Sequence, residues 1–243
     1  MPLLRTPQSV FVVDPAVNGF RDLRQGHVFK NSGTQKRTID PIFGDILQIT
    51  TSQTCTIPRA LFTAMPFSVG FWWKNNALAN GEQIFRLENS GTTSEQHYME
   101  VRSTGAARID SGTAADGVSP ATTATGVVTA GNWHFFTGVW ASATSRAIYV
   151  DGGNKATNAG NRSPTGLDKT YIGNGMNGTS WFGFGVTYGR ALSDAEVATL
   201  YDKAKRFTFL EEDHALWGSI DVAAAAGSDI PRLMDHYRRR RVS

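Results

Sequence analysis

The sequence is poor in the features that mark secreted, membrane-bound or metal-binding proteins. Cys55 is the only cysteine among 243 residues, which excludes an intrachain disulfide and gives no argument for an oxidising compartment. No run approaches the roughly 20 apolar residues of a membrane span, and the apolar run after Met1 is too short for a signal peptide. The five histidines show no metal-binding spacing. We therefore expect a protein made in a cytoplasm, without a signal peptide or a membrane span.

The sequence also lacks a general excess of charge of either sign. It has 24 basic and 21 acidic residues, but the run 238–241 alone holds four arginines. Without that run, 20 basic residues stand against 21 acidic ones, so the body of the chain is nearly neutral. A nucleic-acid-binding domain normally carries a broad basic face. Nucleic acid is therefore not expected as a partner, and the basicity belongs to the tail.

Aromatic and β-branched residues are plentiful, and they centre on a predicted hairpin in residues 131–153. Side chains of a strand alternate between its two faces. Trp133 and Phe135 would therefore share one face of the first strand, while Phe136 and Trp140 share the other. A second strand follows a small polar turn and ends in an Asp-Gly pair, which tolerates the positive φ of a tight turn.

Further aromatic segments predict strands that pack on this hairpin. In residues 67–73 the apolar side chains alternate cleanly and would form a core face. Residues 181–188 alternate as well, with two glycines predicted to point outward. The inward side chains of that strand would be Phe182, Phe184, Val186 and Tyr188.

Two helices are predicted near the end of the chain. Ser193 and Glu196 form a capping box, which satisfies backbone donors at a helix start, and an apolar stripe follows to about Lys205. A second helix would begin at Asp229, where Pro231 suits the first turn. Its apolar stripe would consist of Ile230, Leu233, Met234 and Tyr237.

The order of these motifs resembles the laminin-G-like branch of the concanavalin A-like jelly rolls, a family of lectins, glucanases and structural modules. The segment FSVGFWW at 67–73 resembles the tryptophan strand of the family. Trp133-His134 and IYVDG at 148–152 resemble its central hairpin, and RALSDAE at 190–196 resembles its ending. The resemblance implies an all-β, concanavalin A-like jelly-roll β-sandwich, followed by a short helix and a C-terminal helical tail. It is specific to the fold and does not fix a function.

This resemblance divides the chain into three parts. The jelly roll would occupy residues 41–205. Residues 1–40 would form an N-terminal arm or edge extension. Residues 206–243 would form a C-terminal extension with an amphipathic helix and a basic tail.

The sequence gives little support for catalysis. The resemblance implies that glycosidases of this fold carry two glutamates on one face of a strand. Here the nearest pair is Glu95 and Glu100, whose odd spacing sends them to opposite faces, so the roughly 5 Å separation of a retaining pair cannot arise within the strand. The glycine-rich segment 173–178 matches a dinucleotide fingerprint, but a strand follows it where a helix is needed, so we expect a turn. His134 is expected to be a hydrogen-bonded sheet residue. We expect no enzyme activity.

Loop residues suggest two ligand sites. Asn174, Asn177 and Trp181 would bind a glycan, with Trp181 stacking on a sugar ring. Asp110 and Asp116 lie on loops where the resemblance implies a calcium site in some relatives, and calcium is the only cofactor that these residues suggest. Asp and Asn beside Gly more commonly form turns, and a tryptophan at this position also suits the edge of a core. Both alternatives stay open.

The function expected from these observations is that of a non-catalytic structural protein of a bacteriophage virion. It would decorate the capsid or associate with the tail, aid adhesion to glycans, and be made in the host cytoplasm. The alternatives are a soluble carbohydrate-binding lectin and, with less support, a glycoside hydrolase. The partners would be a surface glycan and, through both termini, other virion proteins or a neighbouring subunit. The predicted partner-binding residues are Ile230, Leu233, Met234, Tyr237, Arg238, Arg239, Arg240 and Arg241.

Overall fold

A computed structural model describes residues 7–14, 16–33, 37–51 and 53–206, and these form an antiparallel β-protein with one helix. The strands are β1 Ser9–Asp14, β2 Gly19–Asp22, β3 Val28–Asn31, β4 Arg37–Asp40, β5 Gly44–Thr50, β6 Cys55–Ile57, β7 Phe67–Asn75, β8 Glu82–Asn89, β9 Thr92–Val101, β10 Ala107–Thr113, β11 Gly117–Val118, β12 Ala121–Thr122, β13 His134–Ser142, β14 Ser145–Val150, β15 Gly153–Asn158, β16 Lys169–Asn174 and β17 Thr179–Tyr188. The helix is α1 Asp194–Arg206. The predicted second helix lies outside the described residues.

The predicted central hairpin is confirmed. β13 pairs with β14 on one side and with β7 on the other. Phe136 and Trp140 are buried in the main core, while Phe135 is buried in a second apolar cluster on the other face. The alternation read from the sequence therefore assigns both faces of β13 correctly, because β13 is regular over the residues that pair with β7.

The strands form two halves that face each other across the main core. One half runs β15–β14–β13–β7–β17, and the other runs β6–β16–β8–β9–β10. The rings of Phe71 and Phe85 meet across the core with centroids 6.4 Å apart, and those of Phe85 and Trp140 with centroids 6.3 Å apart. The predicted sandwich is confirmed, and aromatic rings are among the side chains that meet between its halves.

The N-terminal strands join these two halves. β1 pairs with β17, β2 pairs with both β1 and β3, and β3 pairs with β6. Their aromatic side chains are fully buried in the main core. Residues 9–31, assigned above to an arm or edge extension, are therefore built into the sandwich. The buried side chains of this segment are Phe11, Phe20 and Phe29.

The predicted faces of β17 are wrong beyond Phe182. The register of β17 against β7 shifts between Phe182 and Gly185, which indicates a β-bulge. A bulge inserts one extra residue, so every later side chain changes face. Phe182 lies in the main core as expected, but Val186 and Tyr188 lie in the second cluster on the opposite face.

The helix α1 covers part of that opposite face. Its start is the predicted capping box: the Ser193 backbone N–H donates to Glu196 Oε2 at 2.9 Å, and the Glu196 N–H donates to Ser193 Oγ at 3.4 Å. Val197, Leu200 and Ala204 are fully buried against the sheet. In the described part of the chain, no helix is long and apolar enough to span a membrane.

Candidate functional site

The structure does not bring the three predicted glycan-binding residues together. Asn174 donates from Nδ2 to Gln83 Oε1 at 2.6 Å, and the Asn177 backbone N–H donates to Glu82 Oε1 at 3.3 Å. Trp181 instead packs against Lys74, whose Nζ lies 5.2 Å from its ring centroid. The two asparagines thus stand by the turn before β17, while Trp181 contacts a different neighbour. Their joint role in glycan binding stays a prediction.

The two predicted calcium-binding aspartates have different surroundings: Asp110 lies within β10 and not on a loop as predicted, whereas Asp116 lies on the turn after β10. Asp110 is fully buried, and it accepts hydrogen bonds from Tyr98 Oη at 3.0 Å and from the Ser119 N–H at 2.8 Å, besides an ion pair with Arg108. Asp116 is exposed. Among the described residues, no group of three or more His, Cys, Asp or Glu side chains could hold a metal ion. Calcium binding stays a prediction.

The outward face of β8, β9 and β10 carries a dense polar row. Arg86 pairs in register with Tyr98, and Tyr98 with Asp110. The charges on this face are compensated in place: Arg86 Nη2 lies 2.5 Å from Glu88 Oε2. Burial acts to lower the pKa of Arg108, but the hydrogen bond to Asp110 and the nearby charges of Asp110, Tyr98 and Glu100 together outweigh burial, and the pKa is raised. This face offers few free charges to a ligand.

Two carboxylates do share this face, although the sequence did not suggest them as a pair. Glu100 on β9 and Asp110 on β10 are both ion-paired with Arg108, the former at 3.5 Å. Glu100 also accepts a hydrogen bond from Arg102 at 2.9 Å. Glu95 is not part of this pair, because its two carboxylate oxygens accept hydrogen bonds from the backbone N–H groups of Ala114 and Thr165. Arg108 therefore pairs with both carboxylates and compensates their charge.

His134 is hydrogen-bonded at both ring nitrogens, as expected. The Thr129 backbone N–H donates to Nε2 at 3.0 Å, so Nε2 is the acceptor nitrogen. Nδ1 then carries the proton and donates to Asp151 Oδ2 at 2.7 Å. With both nitrogens engaged inside the sheet, His134 holds the central hairpin and has no nitrogen left for a ligand.

The strongest candidate site is a cluster on the outward face of β7 and β17, which we call the tryptophan cluster: Lys74, Trp133 and Trp181. The Lys74 ammonium lies 5.1 Å from the ring centroid of Trp133 and 5.2 Å from that of Trp181. All three side chains are half-buried. A cation at this distance from an indole ring is attracted by the negative face of the ring. The lysine is therefore fixed between two partly exposed aromatic rings.

Strand register assembles the tryptophan cluster from three distant parts of the chain. Trp181 pairs directly with Lys74 across β17 and β7. Trp133 immediately precedes His134, which pairs with Trp73 across β13 and β7. Sequence reasoning singled out Trp181 alone. The other two members were not predicted: Lys74 lies near the end of β7 and Trp133 directly before β13, and they meet because β13 and β17 both pair with β7.

The neighbours of the tryptophan cluster fix Trp133 and add apolar surface. Trp133 donates from Nε1 to Asp40 Oδ2 at 3.0 Å, and its ring lies 4.5 Å from that of Phe43. Ile42, on the turn between Asp40 and Phe43, is 51 % exposed, and Ile39 is 66 % exposed. The cluster thus combines two aromatic rings, one of them fixed by Asp40, with one cation.

The chain matches the model of a known protein family, and the fold of that family agrees with the one described above. Residues 50–198 match the family model Laminin_G_3, described as the concanavalin A-like lectin/glucanases superfamily. The chain belongs to this superfamily. The matched range begins at the last residue of β5, so the N-terminal strands of this concanavalin A-like protein are additions to what the family model covers. No curated protein sequence matches the chain.

Solved structures show the same fold at low sequence identity. Domain 4 of AbnA, an extracellular arabinanase of Geobacillus stearothermophilus solved with arabinotriose, is 15 % identical, with a TM-score of 0.61 over 81 % of this chain and 98 % of that domain. The binding domain of botulinum neurotoxin DC, solved with SialylT, is 12 % identical, with a TM-score of 0.64 over 82 % of this chain. The binding domain of Paraclostridial mosquitocidal protein 1 is 10 % identical, with a TM-score of 0.63 over 82 % of this chain. The concanavalin A-like chain spans about half the length of these toxin domains, 52 % in both cases.

Proposed function

We propose that this protein is a non-catalytic glycan-binding protein whose ligand lies against the tryptophan cluster. The observation that carries the proposal is the pair of half-buried indole rings held on one face of β7 and β17. An indole offers a flat apolar face of fixed shape, at little cost in side-chain entropy. The C–H groups of a sugar ring pack against such a face while its hydroxyl groups remain in water.

The related structures support a glycan as the ligand. The arabinanase domain, of which this chain covers nearly the whole length, was solved with arabinotriose. A botulinum neurotoxin DC domain was solved with SialylT, and this chain corresponds to about half of it. At such low identity these structures share the fold with this chain, and the location of the site rests on the tryptophan cluster itself.

The absence of catalysis is part of this proposal. Glu100 and Asp110 are carboxylates that share a face on neighbouring strands, and Arg108 pairs with both. A glycosidase needs one carboxyl group that donates a proton and another that attacks or activates water, both in contact with the sugar. Carboxylates already neutralised by an arginine between them are poorly suited to either role.

Removing the Trp181 ring should weaken glycan binding sharply. We expect Trp181→Ala to raise the Kd at least about 30-fold, because truncating an aromatic anchor costs about 2 kcal/mol or more. Calorimetric titration with the best glycan from an array, starting with arabinotriose, measures this change. Tyr171→Ala is the matched control, because Tyr171 is also a half-buried aromatic residue and its ring contacts the cations Arg86 and Lys169. Full binding by Trp181→Ala, or no binding of any array glycan by the parent protein, would contradict the proposed function.

We further propose, from the sequence, that the protein acts as part of a bacteriophage virion, made in the host cytoplasm and attached through its C-terminal extension. The apolar stripe from Ile230 to Tyr237 and the arginine run 238–241 support attachment to an acidic partner surface. These residues lie outside the described part of the chain. Truncation after Gly227 should leave the fold intact and abolish salt-sensitive attachment to purified particles. Normal incorporation of the truncated chain would refute this proposal.

A further inference from the structure

We propose that the tryptophan cluster selects sugars that carry a single negative charge, a carboxylate or a sulfate monoester, and that Lys74 is the selecting residue. This inference rests on the proposed function, because it concerns the same site, and it adds the class of ligand. Its basis is the position of the Lys74 ammonium between two indole rings, with no carboxylate partner among the described residues.

Lys74 has no carboxylate partner among the described residues, and its ammonium group contacts the two indole rings. Several other half-buried cations are ion-paired, such as Arg86 with Glu88 and Arg190 with Glu196. A cation–π contact leaves the ammonium N–H groups that point away from the ring free to donate. Lys74 therefore presents an unneutralised positive charge at the place where the rings would hold a sugar.

The carboxylate that contacts the tryptophan cluster is fully engaged by other groups. Asp40 is 7 % exposed, and its Oδ2 accepts from Trp133 Nε1 at 3.0 Å. Its Oδ1 accepts from the backbone N–H groups of Ile42 at 2.8 Å and Phe43 at 3.1 Å. Asp40 thus fixes the ring of Trp133 with both oxygens occupied, and it does not pair with Lys74.

The geometry favours a singly charged group. One lysine supplies one positive charge and no fork of parallel donors, whereas dianionic phosphate is usually held by several donors or a guanidinium. The indole Nε1 of Trp133 is already used by Asp40, so it adds no second donor. The two rings fix the lysine before binding, which reduces the entropy lost when the anion is bound.

The experiment uses three matched ligands and the full chain. Trigalacturonic acid carries carboxylates, its methyl ester has nearly the same shape without charge, and a singly sulfated galactose oligosaccharide separates the two kinds of anion. Kd values are measured by calorimetry at low and at high salt for the parent protein, Lys74→Met and Lys74→Arg. Methionine keeps an unbranched apolar stem between the rings, and thermal melts verify that both variants fold.

We expect the parent protein to bind the acid about five- to tenfold more tightly than the ester, as a charge-assisted hydrogen bond allows. Lys74→Met should bring the ratio of the two Kd values to about one, because only the acid loses an ionic partner, while Lys74→Arg should keep part of the preference. High salt should reduce the preference. Tighter binding of the sulfated ligand than of the acid would assign the sulfate monoester as the anion.

Three outcomes would overturn the inference, and they differ in what they imply for the proposed function. Equal Kd values for acid and ester, or a preference that survives in Lys74→Met, refute the role of Lys74 while glycan binding stands. A Lys74→Met variant that weakens both ligands equally shows a packing role for Lys74, and glycan binding again stands. No binding of any of the three ligands, together with a negative array, refutes the proposed function and this inference with it.

Discussion

Replacing Trp140 by alanine should lower the free energy of unfolding by about 3–5 kcal/mol, the range for deleting a large aromatic side chain from a core. Trp140 is fully buried, its ring is stacked on Phe67 at 4.7 Å, and it faces Phe85 on the opposite half of the sandwich at 6.3 Å. Its Nε1 donates to the Asp110 carbonyl at 3.2 Å, which would lose its buried partner. Urea unfolding of parent and variant measures the difference.

Trp181→Ala is the matched control, because it removes the same side chain from a half-buried position. We expect Trp181→Ala to lower the free energy of unfolding by about 1–2 kcal/mol, because a half-buried side chain contributes less buried apolar area than Trp140 does. An equal loss of unfolding free energy in both variants would show that the buried contacts of Trp140 stabilise the protein no more than the half-buried contacts of Trp181 do. The control also establishes that the binding variant at Trp181 is folded.

The stability of the protein should fall as the pH rises from about 4.5 to about 7, because of Glu82. This residue is fully buried at the start of β8, where Oε1 accepts from Asn75 Nδ2 at 2.5 Å and Oε2 accepts from the Ala79 N–H at 3.2 Å. Burial raises the pKa of Glu82 from 4.5 to about 7, and these hydrogen bonds offset only part of the effect. Folding thus holds the carboxyl group in its neutral form at mildly acidic pH.

The sign follows from the protons bound in each state. Below pH 4.5 Glu82 is protonated in both the folded and the unfolded chain, so it contributes no pH dependence. Between 4.5 and about 7 the unfolded chain releases the proton and the folded chain keeps it, which favours unfolding as the pH rises. Above about pH 7 Glu82 is ionised in both the folded and the unfolded chain, and the stability falls no further on its account. The total loss amounts to about 3 kcal/mol, because one pH unit corresponds to about 1.4 kcal/mol.

Glu82→Gln tests this expectation, since glutamine is neutral at every pH. The free energy of unfolding is measured in urea at pH 5 and at pH 7.5 for both proteins. We expect the parent to lose about 2 kcal/mol more than the variant over this interval, which covers most of the titration. An identical decline in the two proteins would assign the pH dependence to other groups. The test compares the change with pH and not the absolute stability, because the N–H₂ group of a glutamine at this position would meet a donor, either Asn75 Nδ2 or the Ala79 N–H, and destabilise the variant at every pH.

The parts of the fold that sequence reasoning predicted are those set by local pattern. The alternation of residues 67–73 and of Phe135 and Phe136 gives the right faces, because β7 and β13 are regular strands. The capping box at Ser193 is equally local, and it starts α1 as predicted. In each case the information lies within a few residues.

The features that escaped prediction depend on pairing between distant residues. The bulge after Phe182 turns Val186 to the other face, and nothing in the alternation of β17 marks it. Phe20 lies in a polar, glycine-containing stretch that indicates an arm or an edge strand, and its burial depends on the partners of β2, since β1 and β3 join the two halves. Lys74 meets its two rings only through the register of β7 with β13 and β17.

The pairing of β1 with β17 also has a consequence for the order in which the chain acquires its structure. Ser9 pairs with Thr187 and Phe11 with Gly185, so the two strands come from opposite ends of the described chain. During synthesis β1 leaves the ribosome first, and β17 follows only after nearly the entire sandwich has been made. β1 therefore has only its hairpin partner β2 at first, and its other edge stays open. Contacts of such long sequence separation slow folding, so closure of the sandwich should be a late event that requires the completed chain.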